Sequence, residues 1–217
     1  IRKYFSHDWS MIVDMQCSSR TRNYFAYFVP SNTRWIGTVS GCSDPLPDLT
    51  GVNNLDRMVI SAKMAGGVLQ SPDMSWLVNG ETQTDDPAVM INDKKYVVLI
   101  PGCLLAKPQK RWLADRFAAI GNELAARGFE IVLVGTADDC DAVNAVLAAS
   151  PDAVDLCGKT NLAVLARLLG GAAFVIGNDT GPMFLAARTG VPSLMVMGPD
   201  TNPTMSAPKG AAASRLQ

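Results

Sequence analysis

Across residues 94–199 short apolar runs alternate with stretches of helical periodicity, and that alternation leaves few folds open. Tyr96-Val97-Val98-Leu99-Ile100 is apolar throughout and stops at Pro101-Gly102, as a strand buried on both faces does. Leu113, Phe117, Ile120 and Leu124 then recur at helical spacing up to Gly128. Residues 131–134 predict the next strand, followed after Gly135 by a helix with Val143, Val146 and Leu147 on one face. Leu162, Leu165 and Leu169 predict another helix, entered from Thr160 and ended at Gly170; residues 174–176 and 194–197 predict two more strands. Strands joined by helices through short connections build right-handed βαβ units. The expected fold class is therefore α/β with a parallel, doubly wound sheet.

In such a sheet, ligands bind beyond the carboxyl ends of the strands. Three strand ends carry suggestive residues. After Ile100, Gly102 permits close backbone approach, and Lys107, Lys110 and Arg111 supply positive charge. After Val134 come Asp138 and Asp139 at a helix start, a carboxylate pair able to hold hydroxyls. After Ile176, Asn178-Asp179-Thr180-Gly181 turns straight into a helix closed by Gly190. A small polar turn of that kind points free N–H groups and the positive helix end outward, a site suited to phosphate or diphosphate. Each feature also has a plain structural reading. Asp179, Thr180, Asp138 and Asp139 are ordinary helix-capping types, Lys110 an ordinary solvated one, and Trp112 a core residue. Taken jointly the three ends favour a phosphorylated ligand.

Other chemistries lack the residues they need. The single histidine, His7, gives no support to Ser-His or Cys-His catalysis or to a histidine metal site. Neither GxxxxGK[ST] nor GxGxxG occurs, which argues against nucleotide hydrolysis by a P-loop. A formal net charge of −1 argues against a nucleic-acid surface. Five cysteines without a CxxC pair read as reduced, mostly buried thiols of a cytosolic protein, not a disulfide frame or zinc site. No apolar run is long enough to span a bilayer.

The first part of the chain is less regular. Met11-Ile12-Val13-Asp14-Met15 predicts a strand, 21–28 a helix, Trp35-Ile36-Gly37 the start of a second strand, and 42–54 a loop. The polar stretch 79–86, NGETQTDD, is the best linker. This gives a partial N-terminal lobe with linker at 1–86 and a second lobe at 87–217. The chain opens on Ile1 and closes in APKGAAASRLQ with no strand or helix pattern, so it reads as a piece of a longer protein, short at both ends.

The ordered motifs resemble glycosyltransferase family 9, the ADP-heptose–lipopolysaccharide heptosyltransferases. That family reads PGA-like turn, K-x-W, strand ending in glycine, G-x-D-T-G-P-M-H-L-A-A, then a strand and a G-P turn. Here the counterparts are Pro101-Gly102-Cys103, Lys110-Arg111-Trp112, Val134-Gly135, Gly177-Asn178-Asp179-Thr180-Gly181-Pro182-Met183-Phe184-Leu185-Ala186-Ala187 and Gly198-Pro199. The 157–162 stretch CGKTNL and the early IVDMQCSSRT are similar to family segments as well. The D-T-G-P-M run with its flanks is the specific part.

The resemblance implies a GT-B-like architecture of two Rossmann-like lobes, with the nucleotide-sugar donor held mainly by the C-terminal one. It implies inverting transfer of heptose from ADP-heptose to the lipopolysaccharide inner core, in the cytoplasm at the inner face of the bacterial inner membrane. No cofactor and no active-site metal are implied, so Lys/Arg and backbone N–H groups must meet the leaving diphosphate's charge. Carried over by position, Lys110 contacts donor phosphate, and Thr180 and Gly181 bind diphosphate. Asp179 orients the turn or accepts from a sugar hydroxyl, Asp138 contacts the ribose, and Thr160 lines the adenine pocket. The family's general base belongs to a turn expected upstream of Ile1, with residues 12–14 taken as a later strand of that lobe; Asp14, read as lying within a strand, is not a substitute, so no base is assigned and the chain as given is expected not to turn over.

Three departures bear on function. Cys103, Leu104 and Leu105 offer no hydroxyl after the PG turn, and the loop to Lys110 is longer than the family's. Phe184 stands where the family has histidine. The base-bearing turn is not among these residues. A non-catalytic nucleotide-sugar-binding protein, or a GT-B transferase or epimerase with another donor, are the alternatives.

Overall fold

The apolar run at Met11 forms strand β1 (Met11–Val13), parallel to β2 (Arg34–Gly37), which pairs with the two-residue β3 (Asp44–Pro45). Between β1 and β2 the chain returns through helix α1 (Ser19–Phe28), opened by a reciprocal Ser18–Thr21 capping box. The strand expected through Met15 ends at Val13. There the buried Asp14 carboxylate accepts the amides of Gln16 (3.0 Å) and Cys17 (2.8 Å), and the turn so formed stops the pairing. Asp14 therefore follows β1 and is not within it. Residues 42–54, read as loop, hold β3 and lead into an unanticipated helix, α2 (Asn54–Met64), capped by Asn53. Ile36, Leu46 and Leu49 make the buried centre of this region.

The computed structural model describes residues 7–68, 70, 75–78, 91 and 94–217. The chain divides into two compact units, Ile1–Pro72 and Asp73–Gln217. The linker expected at 79–86, and with it the 86/87 boundary, lies outside the described residues. Helix α3 (Ser75–Val78) belongs to the second unit.

The second unit is a six-stranded, wholly parallel sheet. Its strands are β4 (Tyr96–Ile100), β5 (Glu130–Leu133), β6 (Val154–Asp155), β7 (Phe174–Asn178), β8 (Ser193–Val196) and β9 (Ala213–Leu216). Their spatial order is β6-β5-β4-β7-β8-β9. The intervening helices are α4 (Ala114–Ala126), α5 (Cys140–Leu147), α6 (Leu162–Gly171) and α7 (Gly181–Thr189), with a short α8 (Pro203–Ser206) before β9.

Strand β4 shows why the run had to be apolar throughout. Val97 and Leu99 point into one core with Phe117, Val143 and Val146 of α4 and α5. Val98 and Ile100 point into the other with Leu168, Leu169 and Met183 of α6 and α7. Burying each such side chain contributes about 1.5–3 kcal/mol, so both faces must be filled for the layers to hold. Helix α7 ends where expected, at Gly190, whose φ of 82° is left-handed. The tail 207–217, read as patternless, supplies the edge strand β9 just after α8.

The strand order places the ligand crevice. From β4 the chain winds outward through β5 and β6, then crosses to β7 on the other side of β4. The direction of winding therefore reverses between β4 and β7, and the crevice beyond their carboxyl ends is the sheet's switch point.

Candidate functional site

Two loops flank the switch point, one leaving β4 at Pro101-Gly102-Cys103 and one leaving β7 at Asn178-Asp179-Thr180-Gly181. They are joined by Asn178, a fully buried side chain. Its Nδ2 donates to the Pro101 carbonyl and its Oδ1 accepts the Trp112 amide, each at 2.8 Å. Both ends of the 101–112 loop are thereby pinned to the β7 turn. Arg111 closes the loop on itself, its Nη2 donating to the Cys103 carbonyl at 2.8 Å. Trp112 packs edge-on against Phe117, as its core reading required.

Lys110 ends a 3-10 turn (Pro108–Lys110) and reaches across to Asp179, Nζ to Oδ2 at 2.5 Å. The same oxygen accepts the Thr201 hydroxyl at 2.9 Å. The pair is largely sequestered, with side-chain exposures of 18% for Lys110 and 8% for Asp179. Asp179 thus sets the cation's position and does not cap α7. Thr180, at the N-cap, makes no side-chain cap hydrogen bond either. Pro182 has no N–H, and the Gly181 N–H is too early in α7 to have an intrahelical acceptor. Asp179 and Thr180 therefore do not serve as the plain helix caps that the sequence also allowed.

A third loop comes from β5. Here a 3-10 turn (Ala137–Asp139) is held by a capping box in which Asp139 Oδ2 accepts both the Thr136 amide (2.9 Å) and its hydroxyl (2.8 Å). The carboxylate also lies directly over Gly102, where a Cβ would run into it. Glycine at 102 is what lets the β4 and β5 loops meet.

These loops wall two adjoining cavities that share Thr136, Asp139 and Thr180. One, of about 660 Å³, is the charged side: Lys107, Lys110, Asp138, Asp179, Gly181 and Phe184 line it. The other, of about 430 Å³, is largely apolar, with Ile100, Val134, Leu162, Leu165 and Pro182 beside Gly102 and Thr160. A charged compartment adjoining an apolar one suits a ligand with a diphosphate and a flat base. A separate cavity of about 390 Å³, around Lys94, Glu130 and Asp152, lies at the amino ends of the strands, the edge where such sheets do not hold ligands.

The six residues given donor roles by position, and Gly102, all line these two cavities, whereas Arg111, also offered as a cation, lines neither and donates instead to the Cys103 carbonyl. Lys110, Asp138, Asp179, Thr180 and Gly181 face the charged one; Gly102, Thr160 and again Thr180 face the apolar one. Of the carboxylate pair, exposed Asp138 borders one cavity and Asp139 both. The sequence reading missed the tying role of Asn178 and the contribution of Thr201. The Thr136-x-x-Asp139 box was readable as a motif, since its spacing is that of a reciprocal cap. Phe184, which stands where the resembled family has histidine, lines the charged cavity, and Leu104 and Leu105 are exposed at its rim. Burial pushes the Cys103 thiol up, and it donates to the Asp179 carbonyl at 3.4 Å.

Comparison with known proteins bears on the family and the fold. The family model described as "Glycosyltransferase family 9 (heptosyltransferase)" matches residues 67–216. Lipooligosaccharide heptosyltransferase 2 of Haemophilus influenzae is 29% identical over 124 residues, covering 55% of this chain and 35% of that protein. The chain thus matches about a third of that relative's length. Among solved structures, a glycosyl transferase family 9 protein from Veillonella parvula superposes with a TM-score of 0.78 at 21% identity, over 99% of this chain and 66% of that one. The E. coli heptosyltransferase WaaC, solved with ADP, gives 0.75 at 19% identity, over 99% of this chain and 68% of that one. These likenesses show the fold, an α/β GT-B-like one.

Proposed function

This chain belongs to glycosyltransferase family 9, the heptosyltransferases, and we propose that it carries the donor-binding part of an inverting heptosyltransferase. The donor is ADP-heptose, the acceptor the lipopolysaccharide inner core, and the setting the cytoplasmic face of the inner membrane. The observation that carries the reading is the joined pair of cavities at the switch point, with Lys110, Thr180 and Gly181 on the charged side. Adenine as the base is supported by the ADP bound in a relative of the same fold.

As the sugar's anomeric carbon is attacked, charge builds on the departing diphosphate. Lys110, Thr180 and Gly181, which line the charged cavity, are the groups that would stabilise that charge in a site fixed beforehand. Asp179 holds Lys110 in position and shares it with the incoming phosphate. The apolar cavity takes the base between Leu162, Leu165 and Pro182, and Thr160 marks its edge. Asp138 and Asp139 are the ribose partners.

Calorimetric titration of the folded chain with ADP, GDP and UDP tests the proposal. ADP is expected to bind weakly but measurably, and more tightly than the other two. No binding by any of the three contradicts a donor site, and a preference for UDP contradicts the heptosyltransferase assignment. Phe184 in the charged cavity favours a second reading, a protein that binds the donor without transferring it. ADP binding together with absence of heptose transfer by the whole protein decides for that one.

A further inference from the structure

Behind the wall shared by the two cavities lie two thiols that the donor reading does not use. Cys140 is the first residue of α5 and Cys157 follows β6, so the fold brings them together from different elements. Their Sγ atoms are 3.0 Å apart, and both cysteines are free. Both thiols also point at one acceptor, the Thr136 carbonyl, from 3.1 Å for Cys157 and 3.9 Å for Cys140. Thr136 is the residue whose capping box with Asp139 forms that wall.

We propose that Cys140 and Cys157 form a dithiol site that closes to an intramolecular disulfide on reaction with a small-molecule disulfide such as oxidised glutathione. The chemistry balances in two exchanges. The Cys140 thiolate attacks the oxidant's S–S bond, forming a mixed disulfide and releasing one glutathione thiol. The Cys157 sulfur then attacks the Cys140 sulfur of that mixed disulfide, expelling the second glutathione and leaving Cys140–Cys157 joined. Two protons leave with the two thiols, and the oxidised glutathione takes up the electron pair. The order follows from access: Cys140 is part-exposed, whereas Cys157 is buried. Burial first, and then the neighbouring Cys140, pushes the Cys157 thiol up, which agrees with Cys140 reacting first. Closure shortens the Sγ–Sγ separation from 3.0 Å to about 2.05 Å. It also takes both S–H donors away from the Thr136 carbonyl.

Trypsin gives a direct readout, because residues 128–159 form one peptide that carries both cysteines and none of the other three. The folded chain is treated with excess oxidised glutathione, alkylated under denaturing conditions without reductant, and digested. The 128–159 peptide is expected to lose two hydrogens and take no alkylating groups, while the peptides with Cys17, Cys42 and Cys103 carry no disulfide to it. Cys157→Ser should trap the glutathione adduct on Cys140, and Cys140→Ser should leave Cys157 alkylated. A wild-type 128–159 peptide that stays doubly alkylated, keeps a glutathione adduct, or is cross-linked to another cysteine overturns the proposal.

Discussion

Lys110→Met tests whether Asp179 and the lysine hold each other in place. The substitution keeps most of the aliphatic stem and removes the cation 2.5 Å from Asp179 Oδ2. It leaves a carboxylate with 8% exposure whose described remaining side-chain partner is the Thr201 hydroxyl. Breaking a buried pair from one side costs about 3–5 kcal/mol. A surviving hydrogen bond to a charged acceptor is worth about 1.5–3 kcal/mol, and the lysine's residual exposure lowers the cost further. The net expectation is a loss of about 2 kcal/mol, or roughly 4–8 °C in Tm for a chain of this size. Replacing both partners, Lys110→Met with Asp179→Asn, removes the stranded charge. That double variant should lie within about 1 kcal/mol of the wild type, because desolvation and attraction nearly cancel in such pairs. Urea unfolding of the four proteins in the cycle yields the coupling directly. A single variant within about 0.5 kcal/mol of the wild type, or a double variant less stable than either single one, shows that the pair is not coupled in this way.

Gly102→Ala drives a methyl group into Asp139, whose carboxylate and Cβ both stand in its way, and should cost about 1–3 kcal/mol in thermal unfolding; Asp139→Ala keeps that Cβ, so adding it should not recover the loss. Asn178→Leu keeps the volume but leaves the Pro101 carbonyl and the Trp112 amide without their partner; at about 1–3 kcal/mol for each group, denaturant titration should show one of the larger single-site losses in the unit. Tyr96 donates to the Leu168 carbonyl at 2.7 Å, and burial pushes its pKa up from 10.0 to about 12. Because the folded value is the higher one, the stability it contributes is complete below pH 10 and lost as pH rises through about 12. Tyr96→Phe should therefore cost about 1 kcal/mol at neutral pH, and the gap to the wild type should shrink over that window; a gap that does not change with pH contradicts the assignment.

Legibility in the sequence tracks which interactions are local. Strands β4 and β7 announce themselves because burial on both faces demands unbroken apolar runs. Strand β9, Ala213–Leu216, carries Ser214 and Arg215 and is mostly exposed; backbone pairing to β8 holds it at the sheet edge, so no apolar signal marks it. Strand β6 is two residues long, too short for any period. The residues of the site were found because a helix start and nearby cations have local signatures. Their connections were not. Asn178 to Pro101 and Lys110 to Asp179 join residues far apart in the chain, and only the crossover from β6 to β7 brings them together. That Asp139 and not Asp138 turns toward Gly102 was likewise invisible, since it depends on how the β4 and β5 loops meet.

Everything proposed for function rests on a nucleoside diphosphate binding at the carboxyl edge of this sheet, between the β4 and β7 loops. Backbone amide chemical shifts of the labelled 23.1 kDa chain, followed as ADP is added, locate that binding residue by residue. The largest saturable shifts are expected on Gly102, Lys110, Thr160, Thr180 and Gly181, and Lys110→Met is expected to weaken the titration. Shifts gathered instead around Lys94, Glu130 and Asp152, at the opposite edge, would contradict a donor site at the switch point.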